Sequence, residues 1–162
     1  MKAELAPRAR ALWAAFESRT GTSFSARFYE SFHFGDSESL ADELATLVLA
    51  GTKRATASLV WSYEAEGKAI PEPGQLSIVE NWAGEPVCII ETTSVDVLPF
   101  EEVGREFAAT EGEGDGSLEY WREVHWACFG RECTRIGKQR SASMLAVCER
   151  FEVVFRASTH DA

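Results

Sequence analysis

The sequence predicts an α+β fold, a small β-barrel or strongly bent sheet with helices at its rim. Three observations lead there. Short runs rich in Val, Ile, Thr and Leu, separated by Pro and Gly, occupy residues 56–61, 75–80, 86–98 and 147–156. Stretches with helical apolar spacing precede and interrupt them. The chain has 162 residues, 45% of them hydrophobic, which is enough for a core of its own. No repeat, low-complexity segment or Pro/Gly/Ser linker divides it. One domain over 1–162 is expected, with an N-terminal helical extension at about 1–35.

The elements follow in chain order. Leu12, Trp13 and Phe16 share a face within a helix at 8–18. The Asp36-Ser37-Glu38-Ser39 stretch offers cap oxygens to a second helix striped by Leu40, Leu44, Leu47 and Val48. Gly51 can take the left-handed residue that ends it. Three strands come next, and Pro99 closes the third and longest. Residues 101–110 and 117–127 read as helices. Ser117 can cap the second, on which Leu118, Trp121, Val124 and His125 share a face. In the last strand Val147, Phe151, Val153 and Phe155 alternate with Cys148, Arg150, Glu152 and Arg156, so the first set is expected to face the core.

Composition narrows the function. No apolar run approaches the roughly 18 residues of a membrane helix, and Glu4, Arg8 and Arg10 interrupt any signal-like stretch. Cys88, Cys128, Cys133 and Cys148 contain no CxxC pair, which predicts reduced thiols and a cytoplasmic protein without a disulfide scaffold. Net charge is −10. Residues 1–60 hold 7 basic and 7 acidic side chains, residues 61–120 hold 2 and 14, and residues 121–162 hold 7 and 5. Long duplex DNA is therefore not an expected partner, because phosphate binding relies on Lys and Arg. A local basic site remains open if Lys53 and Arg54 meet Lys138 and Arg140. The acidic middle third also reads simply as a solvated face.

Three segments can carry chemistry. In Gly51-Thr52-Lys53-Arg54-Ala55-Thr56, a turn of helix or a tight loop would point Lys53 and Thr56 into one space. A desolvated lysine there can activate a threonine hydroxyl as a nucleophile. The same string is also what a helix end followed by a solvated lysine looks like, and it lacks the spacing of a phosphate loop. Glu111-Gly112-Glu113-Gly114-Asp115-Gly116 alternates acid and glycine. A calcium loop would place its bidentate glutamate at Arg122, so that match fails. A catalytic carboxylate and an exposed acidic turn both remain. Trp121 and His125, four apart, can line a base-stacking pocket or belong to the core. Cys128 and Cys133 with His125 have the wrong spacing for zinc, and no metal or organic cofactor is expected.

Together, GTKRATASL, CIIETTSV, PFEEVGREFAATEGEGDGSLEYWREVHWACF and MLAVCERFEVVF resemble the ASCH domain, most of all its larger bacterial branch, sometimes called YhfF-like. The resemblance runs from about Phe28 to Arg156. It implies a PUA-like fold, a small β-barrel or strongly bent sheet with peripheral helices, and an association with RNA or a modified nucleoside. Minimal members include amidohydrolases that deacetylate N4-acetylcytidine, and ribonuclease activity is also known in the family. By motif the catalytic residues of the amidohydrolases fall on Lys53 as general base, Thr56 as nucleophile and Glu111 as proton shuttle. Gly51, Arg54, Ser58, Trp121 and His125 are the accompanying substrate-binding candidates. Ser58 stands where the minimal branch has arginine, and the acidic loop is an addition. A non-catalytic RNA-binding or ligand-sensing module, with Lys53 and Arg54 on phosphate, is the alternative. A metal-dependent ribonuclease using Glu111, Glu113 and Asp115 is a further one. Oligomeric state is left open by the sequence.

Overall fold

In the computed structural model, which describes residues 5–158, five strands form one open, mixed sheet flanked by five α-helices. The strands are β1 (Phe28–Phe32), β2 (Ala55–Leu59), β3 (Leu76–Glu80), β4 (Pro86–Pro99) and β5 (Leu145–Arg156). Their order is β1-β3-β4-β5-β2. β1 runs parallel to β3, and every other pairing is antiparallel. The sheet bends but does not close, so the strongly bent sheet describes it and the barrel does not. The helices are α1 (Pro7–Thr20), α2 (Glu38–Leu49), α3 (Val60–Glu66), α4 (Arg105–Glu111) and α5 (Leu118–Ile136). No helix among the described residues is long and apolar enough to cross a membrane.

The alternation of β3 and β4 assigns a helix to each face. Leu76, Ile78 and Ile89 pack against Leu12, Trp13 and Phe16 of α1. Val79, Cys88 and Ile90 pack against Leu44 and Val48 of α2. A third apolar cluster lies at the other end, where Ala55 and Leu59 of β2 and Ala146 and Cys148 of β5 meet Phe107, Trp121 and Phe129.

Local signals set most boundaries. Ser37 Oγ accepts from Leu40 N at 3.3 Å to open α2, and Ser117 Oγ accepts from Tyr120 N at 3.1 Å to open α5. Several expectations need correction. Phe28–Phe32, within the expected helical extension, is a strand, because β3 offers it a parallel edge. β2 ends at Leu59, and Val60 and Trp61 already belong to α3. The expected helix at 101–110 is a 3-10 turn at Phe100–Glu102 followed by α4, while α5 runs to Ile136, well beyond 127.

The strict alternation of the last strand also fails. Ile89 pairs with Phe155 and Ile90 with Val153, so Val154 bulges. The bulge sends Phe155 to the α1 side while Phe151 and Val153 stay on the α2 side. Ala146, Val147 and Cys148 are buried in succession, because both faces of the sheet are covered there. All four cysteines are free thiols.

Candidate functional site

Two turns build a buried charged centre. At the end of α2, Thr52 N and Lys53 N both donate to Leu47 O, at 3.0 and 3.1 Å. Arg54 N then donates to Thr110 O at 2.9 Å, and Arg54 O accepts from Phe151 N at 3.0 Å. These bonds lead the chain from Lys53 into β2, which begins at Ala55, and the Lys53 side chain is buried. On the other side, α4 ends at Glu111, and Gly112 takes the left-handed conformation with φ +70°. A Cβ on Gly112 would lie 2.1 Å from Thr52 O, and one on Gly114 would lie 2.4 Å from the Tyr120 ring. The alternating glycines let the loop press against these two residues. Glu111 and Glu113 consequently turn toward Lys53.

Lys53 Nζ donates to Ala55 O at 2.7 Å, Glu113 Oε2 at 2.8 Å and Glu111 Oε2 at 3.2 Å. Three acceptors match the three donors of an ammonium. The Phe34 ring lies 5.1 Å away, a cation–π contact. Glu111 Oε1 accepts from Trp121 Nε1 at 2.7 Å, and its Oε2 lies 3.2 Å from His125 Nε2. Lys53 and Glu111 are each 1% exposed. His125 Nδ1 sits 2.9 Å from Trp121 O and Nε2 3.2 Å from Glu111 Oε2, two oxygens that can only accept, so both ring nitrogens donate when the imidazole is protonated and charged.

The protonation balance follows from these contacts. Burial raises the proton affinity of Glu111, but the charges of Lys53 and His125 outweigh it and hold the carboxyl well below its usual range. Burial alone would lower His125; the Glu111 carboxylate reverses this and shifts it upward. Glu113 is pushed up to about 7 by burial and by its carboxylate neighbour, against the pull of Lys53. One ligand atom each from Glu111, Glu113 and His125 lie within 4.8 Å of one another, a spacing a divalent cation can use. Lys53 Nζ bonds both carboxylates and supplies the positive charge there. Asp115 stays outside this group: it is exposed, and its Oδ1 accepts from Ser117 N at 2.9 Å.

Beside the centre lies a cleft of about 510 Å³. Phe34 lines it with Thr56, Ser58, Tyr63, Phe129 and Glu149. Phe34 thus touches both Lys53 and the cleft, and Phe129 does the same for His125, with rings 5.5 Å apart. Further out the cleft carries Glu30, Glu66 and Glu132 against Lys68 and Arg135, so its charge balance is acidic.

The structure brings Lys53, Glu111, Trp121 and His125 into contact, and Thr56 lines the cleft beside them. Among the described residues no hydrogen bond joins Lys53 Nζ to Thr56. The 53–56 segment is not a turn of helix: β2 begins at Ala55, and the Lys53 ammonium is held by Ala55 O and the two carboxylates. Thr56 and Ser58 open into the cleft, and Arg54 and Gly51 are exposed at its approach strand and helix end. Trp121 is 2% exposed, with its ring stacked on Phe100 at 5.5 Å and on His125 at 4.2 Å. Trp121 and His125 are therefore neighbours of Glu111 in the core, with no face free for a base. The local basic site that the sequence left open does not form. Lys53 is enclosed by carboxylates, while Lys138 and Arg140 lie over Trp61 and Trp126, at 5.6 and 4.3 Å. The sequence marks neither Phe34 nor Glu149 with a local motif, and it names Glu113 as a metal ligand and as part of an acidic turn, not as a partner of Lys53.

The ASCH domain model matches residues 30–155. The crystal structure of an ASCH domain from Lactobacillus crispatus JV V101 is similar at TM-score 0.86 and 38% identity, covering 94% of this chain and 98% of that one. A crystal structure of a protein from Enterococcus faecalis V583 is similar at TM-score 0.87 and 31% identity, covering 95% and 92%. No curated protein matches the chain significantly.

Proposed function

The chain belongs to the ASCH domain family, and from that premise we propose that it takes up a modified nucleoside in the cleft and removes an N-acyl group from it. The family fits a PUA-like RNA-binding module, and the cleft gives that general role a specific form. One observation carries the proposal: Phe34 is at once a wall of the cleft holding Thr56 and the ring beneath the buried Lys53 ammonium. A buried cluster of four titratable groups is costly to keep without use, and such clusters concentrate at functional sites.

Thr56 is the nucleophile in this scheme. Its hydroxyl has no protein hydrogen-bond partner among the described residues and opens into the cleft, free to reach an acyl carbon. Lys53 contributes positive potential at the inner wall where an oxyanion develops, and Glu111, held by Trp121 and His125, keeps the ammonium in place. The acidic rim of the cleft suits a neutral nucleoside better than a polyphosphate.

The test is a screen of N-acylated nucleosides, N4-acetylcytidine first, with release of the carboxylic acid followed by NMR. Turnover is expected for the wild type, partial turnover for Thr56→Ser, and none for Thr56→Val. A wild type that releases no acid from any acylated nucleoside overturns the proposal.

A binding-only role is favoured by one observation, the complete engagement of Lys53 Nζ by three acceptors. In that case nucleosides bind without turnover, and Thr56→Val weakens affinity instead.

A further inference from the structure

We propose that Glu149 is the catalytic base for Thr56, taking the proton of Thr56 Oγ1 as that oxygen attacks the acyl carbon; this rests on the amide-hydrolase proposal above. The argument begins with strand register. β2 and β5 are antiparallel, and Thr56 is paired directly with Glu149. Directly opposed residues project from the same face with Cβ atoms about 4.5–5.5 Å apart. Both residues line the cleft. A glutamate side chain bridges such a gap directly or through one water, which is the reach general-base catalysis needs.

The carboxylate is also oriented. Thr92 Oγ1 on β4 donates to Glu149 Oε2 at 2.6 Å, and Thr92 itself is buried. Among the described residues this is the only protein donor to Glu149, so Oε1 is left for Thr56 or a substrate. Lys53 is a poor competitor for the role, because its donors are spent on Ala55, Glu111 and Glu113. Burial raises the proton affinity of Glu149, which suits a base. The charged and titratable groups facing it are Glu30 and Tyr29 on β1, Tyr63 on α3, Lys68 after α3, and Lys53 before β2.

The chemistry balances without a cofactor. Thr56 Oγ1 forms a bond to the acyl carbon while its proton passes to the Glu149 carboxylate. The C–N bond then breaks, and Glu149 returns the proton to the leaving amine, leaving an acyl ester on Thr56. Water adds to the ester with Glu149 again taking a proton. Collapse breaks the bond between Thr56 Oγ1 and the acyl carbon, releases the carboxylic acid, and returns the proton from Glu149 to Oγ1.

Glu149→Gln keeps the shape of the side chain and an acceptor for Thr92. Its kcat on an acylated nucleoside is expected to fall by about 10²–10⁴-fold, with KM nearly unchanged. Glu152→Gln, exposed on the same strand, is expected to leave kcat unchanged. A Glu149→Gln enzyme with wild-type kcat, or one changed only in KM, overturns the assignment and leaves the hydrolase proposal standing. Absence of turnover in the wild type overturns both. Should Glu149→Gln fail to fold, Thr92→Val is the second test, since Thr92 acts only by positioning. Losing its hydrogen bond to the charged carboxylate is expected to move the acid limb of the kcat profile to higher pH. An unmoved limb overturns the assignment.

Discussion

Lys53 Nζ and Glu111 Oε2 lie 3.2 Å apart across 58 positions of sequence, and both side chains are shut off from solvent. The pair closes the loop between α4 and α5 onto the end of α2. It also leaves each charge dependent on the other, since a buried ion without its partner retains the full cost of desolvation.

Removing one partner is therefore expected to be severe. Lys53→Met should cost about 3–5 kcal/mol, measured by urea denaturation. Adding Glu111→Leu to it should cost less than the sum of the two single changes, because the second substitution removes the stranded charge. Strictly additive losses would show that the two groups are not energetically coupled.

Glu113 sets a pH dependence of definite sign. In the unfolded chain it ionises near 4.5, and in the folded protein near 7. Between these values the folded state holds more protons, so this group's contribution falls as pH rises from about 4.5 to 7. Glu111 has the opposite sign: its lowered value gives stability that is present above 4.5 and lost at low pH. His125, shifted upward, contributes fully below 6.5 and loses its contribution as pH rises through its folded value. Thermal melting from pH 5 to pH 8 should therefore show a smaller decline for Glu113→Gln than for the wild type. Glu113 also helps to raise His125, so its removal weakens the His125 decline in the same direction, and equal declines would remove Glu113 as a cause.

Glycine substitutions separate backbone strain from collision. Gly112→Ala and Gly137→Ala both place alanine at positive φ, at +70° and +75°, which costs about 1–2 kcal/mol. Only at position 112 does the new Cβ meet backbone, Thr52 O at 2.1 Å; position 137 is open. Gly112→Ala should thus melt well below Gly137→Ala. If the two melt together, the loop does not need its close approach to Thr52.

Salt separates the ligand classes. Affinity for a neutral acylated nucleoside should change little between about 50 and 200 mM salt, whereas a ligand held through several phosphates loses affinity steeply over that range. Steep weakening for a nucleoside lacking phosphate would contradict the charge balance of the cleft.

Much of the fold was legible because its determinants are local. Ser117 caps the helix it was expected to cap, Ser37 does so from within the Asp36–Ser39 stretch, Gly51 takes its positive φ of +79°, and β4 ends at Pro99. Each of these depends on the hydrogen-bonding or torsional chemistry of one residue in its own turn. β1 was not legible, because Phe28–Phe32 is a strand by virtue of the β3 edge beside it. The bulge at Val154 is likewise a property of two strands, and it alone decides that Phe155 faces α1.

The site divides along the same line. The available groups are written in the order of residues: a lysine and a threonine after a helix end, alternating acids and glycines, a tryptophan and a histidine one turn apart. The tertiary structure alone decided their partners. Lys53 turns to Glu111 and Glu113, while Thr56 turns to the cleft where Glu149 stands opposite on β5. The physical reason is that spacing specifies direction only once the backbone conformation is known. An offset of three gathers side chains on a helix and divides them on a strand, and the conformation of residues 53–56 is imposed by hydrogen bonds to Thr110 and Phe151, far away in the chain.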